Sequence, residues 1–251
     1  MALTAGRVAL QLWTLRDHLR SVDEAARCLE QVRQLGYEHV ELCDGVLPLT
    51  QLGGLAKAAG LALSGAHLPG RAVVEEPRRL ADELSALGCR LAVYPYPHVP
   101  FDTLDRVFEL ADQLSAAGEV FRSRGQLLAY HNHALEFRKL QGRAILDWLY
   151  DRLDPFLVHA QLDTYWVQLG GGDPAGYCAR LSGRLPSLHL KDYAVDAEQR
   201  PLAVPLGEGN LNLRVILREA EAAACDCYVV ELEPASEPFA AIAASYAYLT
   251  G

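Results

Sequence analysis

Short apolar segments rich in β-branched side chains alternate along the chain with longer stretches in which apolar residues recur at helical spacing. The short segments predict buried strands and the long ones predict amphipathic helices. The alternation occurs eight times, at a period of roughly 30 residues, the length of one strand–helix unit. The predicted strands are Arg7–Gln11, Tyr37–Leu42, Leu61–Ala66, Arg90–Tyr94, Gln126–His131, Phe156–Leu162, Leu185–His189 and Tyr228–Leu232.

One helix is predicted after each strand, and several of these helices end at a glycine suited to a left-handed cap. Repeated strand–helix units require a parallel sheet, and eight of them can close into a barrel that has no edge strand. The predicted helices are Asp23–Leu35, Leu49–Ala59, Pro77–Leu87, Leu104–Arg124, Arg143–Asp151, Asp173–Leu181, Leu213–Ala224 and Ser236–Leu249.

The alternative to a barrel is an open, doubly wound sheet. Such a sheet carries a glycine-rich phosphate turn after its first strand, where this chain has Trp13-Thr14-Leu15-Arg16. The length of 251 residues also matches a closed α/β barrel, which typically needs about 250. The sequence therefore predicts a single (β/α)8 TIM-barrel domain over residues 1–251.

Composition and charge exclude several classes of partner. The net charge is −9 and no run of lysine and arginine occurs, so neither nucleic acid nor an anionic membrane is expected to bind. No stretch approaches the 18 or so apolar residues of a membrane span, and the N-terminus lacks a secretory pattern. The six cysteines are scattered, which indicates reduced thiols in a cytoplasmic protein. The sequence leaves a homo-oligomer open.

Function in a barrel of this kind gathers at the carboxyl ends of the strands. In this chain those positions are rich in residue types that bind metals or transfer protons. They are Gln11, Trp13, Glu41, His67, Tyr94, His131, His133, Asp163, His189, Lys191, Glu231 and Glu233.

The densest motif is Tyr-His-Asn-His-Ala-Leu-Glu-Phe at residues 130–137. Alternation along a strand places His131 and His133 on one face, and Glu136 follows three residues later. This arrangement predicts a metal or proton-transfer cluster. The alternative interpretation is one buried, hydrogen-bonded histidine and a solvated loop acid.

The next three strands each end in a metal-ligand type: Asp163 on strand six, His189 on strand seven and Glu231 on strand eight. An acid among apolar neighbours is costly unless it is paired, hydrogen-bonded or bound to a metal. A mixed nitrogen and oxygen set without thiolate suits Mn²⁺, Co²⁺, Zn²⁺ or Mg²⁺.

These motifs, together with Gln-Leu-Asp-x-Tyr-Trp at 161–166, His-Leu-Lys-Asp at 189–192 and Gly-Glu-Gly at 207–209, resemble the sugar phosphate isomerase/epimerase family with a xylose isomerase-like TIM barrel. The resemblance covers essentially the whole chain. By position, Asp163, His189 and Glu231 match three of the family's four usual metal ligands. The fourth in many relatives is a glutamate where this chain has His131, so either His131 coordinates the metal or Glu136 reaches back to it.

The resemblance implies an enzyme in which a bound divalent ion stabilises an enediolate after a proton is removed alpha to the carbonyl of a keto-sugar or related polyol. Isomerisation, epimerisation and dehydration share that first step. The acid and base would be Glu231 with Glu136 or His133, because His133 resembles a substrate-contacting histidine of dehydratase relatives. A lyase that acts on an inosose or a 3-keto-glycoside is the alternative reaction.

The remaining strand-end residues are assigned to the substrate. Trp13 and Trp166 are expected to form flat walls for a sugar ring, and Gln11 and His67 to contact the substrate; the alternative for the tryptophans and His67 is core packing. Lys191 would stabilise a developing oxyanion, or else form an ion pair with Asp192. The long loop at 192–212 would fold over the site or stay a flexible rim.

The sequence argues against two other classes of function. A DNA repair enzyme of the endonuclease IV type would need more metal ligands and a basic DNA-facing surface, which a net charge of −9 argues against. A non-catalytic sugar-binding barrel would not need acids and histidines at nearly every strand end.

Overall fold

The computed structural model describes residues 2–233 and 237–251. Eight parallel strands pair in sequence order and close into a barrel, with the last strand paired to the first through Val8–Tyr228 and Leu10–Val230. The predicted barrel is therefore confirmed. The barrel strands are β1 (Val8–Gln11), β2 (His39–Leu42), β3 (Ala62–His67), β4 (Leu91–Tyr94), β5 (Leu127–His131), β6 (Val158–Asp163), β7 (Ser187–Leu190) and β8 (Cys227–Val230).

The helices form the outer layer, and their ends follow from local capping. Ser21 accepts a hydrogen bond from the backbone N–H of Glu24, and Gly88 ends its helix in the left-handed conformation. The helices are α1 (Val22–Gln34), α2 (Leu49–Ala58), α3 (Gly70–Glu75), α4 (Pro77–Leu87), α5 (Leu104–Ser123), α6 (Ile145–Arg152), α7 (Thr164–Leu169), α8 (Pro174–Arg180), α9 (Leu213–Ala222) and α10 (Pro238–Thr250).

The structure adds short elements that the hydrophobic pattern did not predict. They are α3, α7, three 3₁₀ segments (Ala5–Arg7, Leu12–His18 and Ala134–Phe137) and two hairpins, one at 139–144 and one at 192–204. The predicted strand six began too early, because Phe156 lies in a turn where its N–H donates to the Asp154 carboxylate. The predicted first residue of the last helix, Ser236, lies outside the described residues.

The buried residues of the strands change character along the barrel axis. Toward the amino ends many are aliphatic, among them Val8, Leu91 and Val158, as parallel strands covered on both faces require. At the carboxyl ends polar and charged residues are buried instead, among them Gln11, Glu41, Gln161 and His189. Among the described residues, no helix combines the length and the apolar composition that crossing a membrane requires. The buried polar end of the barrel is where the candidate site lies.

Candidate functional site

Four buried side chains from consecutive strands converge at this end of the barrel. His131 ends β5, Asp163 ends β6, His189 lies in β7 and Glu231 directly follows β8. Each offers one ligand atom, and these four atoms all lie within 4.8 Å of one another. The convergence follows from the strand register. His189 lies between Asp163 on β6 and Val229 on β8, and Glu231 comes two residues after Val229 on the same face.

Two atoms of this cluster are buried without a hydrogen-bond partner in the described part of the chain, the Nδ1 atom of His131 and the Oδ2 atom of Asp163. Asp163 uses its other oxygen to accept a hydrogen bond from the N–H of Trp166 at 3.0 Å. Leaving buried polar atoms unpaired costs about 1–3 kcal/mol each. A divalent cation takes up exactly such lone pairs, so the four residues fit one.

The electrostatics of the cluster are set by burial and by close charge pairs. Burial raises the pKa of Asp163 to about 7, against the opposing effect of Lys191. Burial alone would lower the pKa of His189, but the carboxylates of Glu41 and Glu231 raise it to about 10. Burial lowers the pKa of His131 well below its ordinary value, and the neighbouring histidines act in the same direction.

Glu41 is a member of this site to which the sequence assigned no role. Its Oε2 atom lies 2.6 Å from Nε2 of His189, whose Nδ1 atom lies 2.8 Å from Oε2 of Glu231. Burial alone would raise the pKa of Glu41, but His189 and His67 lower it below its ordinary value. The position of Glu41 at a strand end was visible in the sequence, whereas the contact with His189 depends on closure of the barrel.

Glu136 lies outside the four-residue cluster. It accepts hydrogen bonds from the Tyr130 hydroxyl at 2.7 Å and from the N–H of His133 at 2.9 Å. It is fully buried, and burial raises its pKa to about 7. The structure thus places Glu136 behind the pocket, where it accepts from the backbone of His133, the N-cap of a 3₁₀ turn, rather than facing a substrate or reaching back to the cation site as the sequence had suggested.

A pocket of about 280 Å³ opens above the cluster. It is lined by five of the residues assigned from sequence to the substrate or to proton transfer: Trp13, His67, His133, Trp166 and Glu231. Burial lowers the pKa of His133 to about 4. The pocket is lined by Trp13, Cys43, Asp44, His67, Pro95, Tyr96, His131, His133, Trp166, Glu231 and Glu233.

Gln11 is not at the pocket surface. It is fully buried, its amide Nε2 donates to Glu41 at 2.7 Å, and its Oε1 accepts from the N–H of Trp13 at 3.1 Å. The prediction that Gln11 contacts the substrate is therefore wrong. Gln11 lies beneath the pocket surface and donates a hydrogen bond to Glu41.

Lys191 is fully buried beside the pocket. Its Nζ atom lies 2.6 Å from Oε1 of Glu233, 3.9 Å from Oε1 of Glu231 and 4.9 Å from the ring centre of Trp166. Lys191 therefore pairs with Glu233 and not with Asp192, the alternative that the sequence left open.

Asp192 instead holds the long loop after β7. Its carboxylate accepts hydrogen bonds from the backbone N–H groups of Gly207 and Gly209 at 3.0 and 3.1 Å. The Gly-Glu-Gly motif at 207–209 is thus bound to Asp192 by backbone hydrogen bonds, and it does not line the pocket. Residues 192–204 of the loop form an antiparallel hairpin.

The fold and the site together define a closed parallel barrel with a histidine and carboxylate cluster at its carboxyl end. The sequence model of the xylose isomerase-like TIM barrel family matches residues 29–250, and the chain belongs to this family. Members of the family act as isomerases, epimerases or dehydratases.

One characterised relative is similar to part of this chain. Inosose dehydratase of Geobacillus kaustophilus is 29% identical over 134 residues, which are 47% of this chain and 43% of that enzyme. The chain thus matches less than half the length of this relative.

Among solved structures, a sugar phosphate isomerase/epimerase from Parabacteroides distasonis superimposes with a TM-score of 0.83 at 23% identity, over 100% of this chain and 96% of that one. A xylose isomerase-like TIM barrel protein from Mycobacterium smegmatis in complex with magnesium gives a TM-score of 0.74 at 16% identity, over 99% and 97% of the two chains. At these identities the structural likeness establishes the fold.

Proposed function

We propose that this protein is a divalent-metal-dependent isomerase or epimerase that removes a proton alpha to the carbonyl of a keto-sugar or related polyol. The observation that carries the proposal is the cluster of His131, Asp163, His189 and Glu231 at the floor of the pocket. A divalent ion held there would supply Lewis-acid polarisation of a substrate oxygen, an effect worth several kcal/mol.

The metal itself follows from the donor set. Two imidazoles and two carboxylates make a mixed nitrogen and oxygen site, whereas Mg²⁺ prefers oxygen ligands and retains its water. Mn²⁺, Co²⁺ and Zn²⁺ are therefore the metals we propose ahead of Mg²⁺, with His131 as the fourth ligand, in the place of a third carboxylate. Glu136 is not proposed as a ligand, since both of its oxygens accept hydrogen bonds from Tyr130 and His133.

Proton transfer is assigned to the two groups that reach the pocket. Glu231 and His133 both line it, while Glu136 does not. A carboxylate and an imidazole within reach of one substrate carbon can remove a proton and return it elsewhere. Lys191 contributes by holding the Glu231 and Glu233 carboxylates beside the pocket.

The walls of the pocket favour an uncharged, hydroxyl-rich substrate. Trp13 and Trp166 offer aromatic faces of the kind that pack against sugar rings, and Asp44, Glu231 and Glu233 offer hydrogen-bond acceptors. Among the described residues that line the pocket there is no lysine or arginine, the usual partners of a phosphate group.

The second candidate is a lyase or dehydratase that acts on an inosose or a 3-keto-glycoside. The similarity to inosose dehydratase favours it, and the first chemical step is the same. The two reactions differ after deprotonation, in whether the proton returns to carbon or a β-hydroxyl group leaves.

Hydrogen–deuterium exchange tests both candidates. Metal-loaded protein is incubated in D2O with keto-sugars, inososes and 3-keto-glycosides, and the exchanging carbon is located by NMR. We expect exchange alpha to a carbonyl in at least one compound, and no exchange with Glu231→Gln under the same conditions. Metal-loaded protein that exchanges no member of the panel would contradict the proton-abstraction proposal.

A further inference from the structure

Glu41 occupies the interior of the barrel opposite the strands that supply the candidate ligands. Its carboxylate is fully buried and meets four nitrogen donors. Oε2 lies 2.6 Å from Nε2 of His189, 2.7 Å from Nε2 of Gln11 and 3.1 Å from Nε2 of His67, and Oε1 lies 2.6 Å from Nε2 of Gln161. Oε2 thus lies against nitrogen atoms from β1, β3 and β7, and Oε1 accepts a hydrogen bond from β6.

The direction of these hydrogen bonds fixes where the hydrogen atoms lie. The Gln161 amide donates to Glu41 and to the Ser187 hydroxyl, so its oxygen is the atom that lies 2.9 Å from Nε2 of His67. Because a carboxylate only accepts, Nε2 of His189 must carry a hydrogen toward Glu41, and the same argument gives Nδ1 a hydrogen toward Glu231 in this structure, which a cation bound there would replace. The other ring nitrogen of His189, Nδ1, is the atom that faces Glu231 and the cation site.

The neighbouring strand is shaped to leave room for this carboxylate. A β-carbon at Gly65 would lie 2.7 Å from Oε1 of Glu41, closer than side-chain carbons approach other atoms. The pairing of β2 with β3 shifts register between Val40 and Glu41, the step at which Gly65 comes to lie opposite Glu41. Glycine at position 65 is therefore explained by the carboxylate that it accommodates.

We propose that Glu41 is the positioning residue of the cation site: by holding a hydrogen on Nε2 of His189, it keeps Nδ1 of that ring directed at the cation as a ligand. The inference rests on the proposed function. Hydrogen-bonded carboxylates of this kind orient metal-binding histidines in many proteins, and their loss typically weakens metal binding about 10- to 100-fold. Glu41 itself is not one of the four residues whose ligand atoms converge, and both of its oxygens accept hydrogen bonds inside the barrel.

The first test is the affinity for Mn²⁺ or Zn²⁺ of the Glu41→Gln variant, measured by calorimetry or chelator competition. An amide has one acceptor oxygen and brings an NH2 group against the donors of Gln11 and Gln161. We expect binding about 10- to 100-fold weaker than in the wild type. Glu221→Gln is the matched control, since Glu221 pairs with Arg7 beside the amino end of β1, and it should bind as the wild type does.

Two further measurements separate positioning from a general loss of structure. The ¹⁵N spectrum of the metal-loaded wild type should show His189 with its hydrogen on Nε2; a hydrogen on Nδ1 would overturn the proposal. Gly65→Ala keeps the carboxylate but crowds it, and it should also weaken metal binding. This variant and the wild-type spectrum keep the test decisive if Glu41→Gln fails to fold.

The outcomes distinguish this inference from the function on which it rests. If the wild type binds no divalent ion, the proposed function fails. If the wild type binds one and both Glu41→Gln and Gly65→Ala bind it equally tightly, the proposed function stands and the positioning role of Glu41 is refuted.

Discussion

The placement of Glu136 makes a quantitative prediction about stability. The sequence suggested that this acid faces the substrate, whereas the structure buries it against the Tyr130 hydroxyl and the N–H of His133. The perturbation that separates the two views is Glu136→Gln. Glutamine keeps the shape of the side chain, accepts the His133 hydrogen bond with its oxygen and donates to the Tyr130 oxygen, yet it cannot ionise.

The magnitude follows from the pKa. Burial raises the pKa of Glu136 from its ordinary value of 4.5 to about 7 in the folded protein. A carboxyl group whose folded pKa is raised contributes its full stability below pH 4.5 and loses it as the pH rises toward 7. One pKa unit corresponds to about 1.4 kcal/mol, so the wild type should lose about 3 kcal/mol relative to Glu136→Gln across this interval.

Urea unfolding of both proteins at several pH values between 4.5 and 8 measures this difference. The free energy of unfolding of Glu136→Gln, relative to that of the wild type, should rise steadily up to about pH 7 and then level off. A difference that stays constant with pH would refute the reasoning, because it would mean that Glu136 titrates normally and is in contact with solvent.

Three other changes test the pocket and the cluster. His131→Glu replaces an imidazole at the end of β5 by a carboxylate and should shift metal preference toward Mg²⁺, measured as the ratio of Mg²⁺ to Zn²⁺ affinity. An unchanged ratio would argue against coordination by His131. Trp166→Leu removes an aromatic wall of the pocket and should raise KM by roughly five- to tenfold, from an aromatic contact worth about 1 kcal/mol, with kcat little changed; an unchanged KM would place the ring outside the substrate site. His133→Gln should lower kcat by about 100-fold or more while metal affinity stays the same; full activity would exclude His133 from proton transfer.

The periodicity of the chain was enough to predict the barrel, because each strand–helix unit is encoded locally and parallel strands that repeat eight times have one way to remove their edges. It also placed His131, Asp163, His189 and Glu231 at strand ends that meet. Short elements such as α3 and α7 were missed, since six residues are too few to show a helical period.

The parts that sequence could not predict depend on contacts across the barrel or on the path of a turn. Glu41 meets His189 from a position 148 residues away, and only closure of the sheet brings them together. Glu136 is buried because the chain turns back directly after β5. Lys191 meets Glu233 from a position 42 residues away, a contact that depends on β7 and β8 lying side by side.

The most direct test of the account is the number of divalent ions bound by the wild type and by Asp163→Ala, measured by titration with Mn²⁺ followed by EPR of the free ion. Asp163 supplies a buried oxygen with no hydrogen-bond partner in the described part of the chain. We predict one tightly bound ion per wild-type chain and a loss of that ion in Asp163→Ala. A wild type that binds none, or a variant with unchanged stoichiometry and affinity, would contradict the claim that this cluster holds a cation.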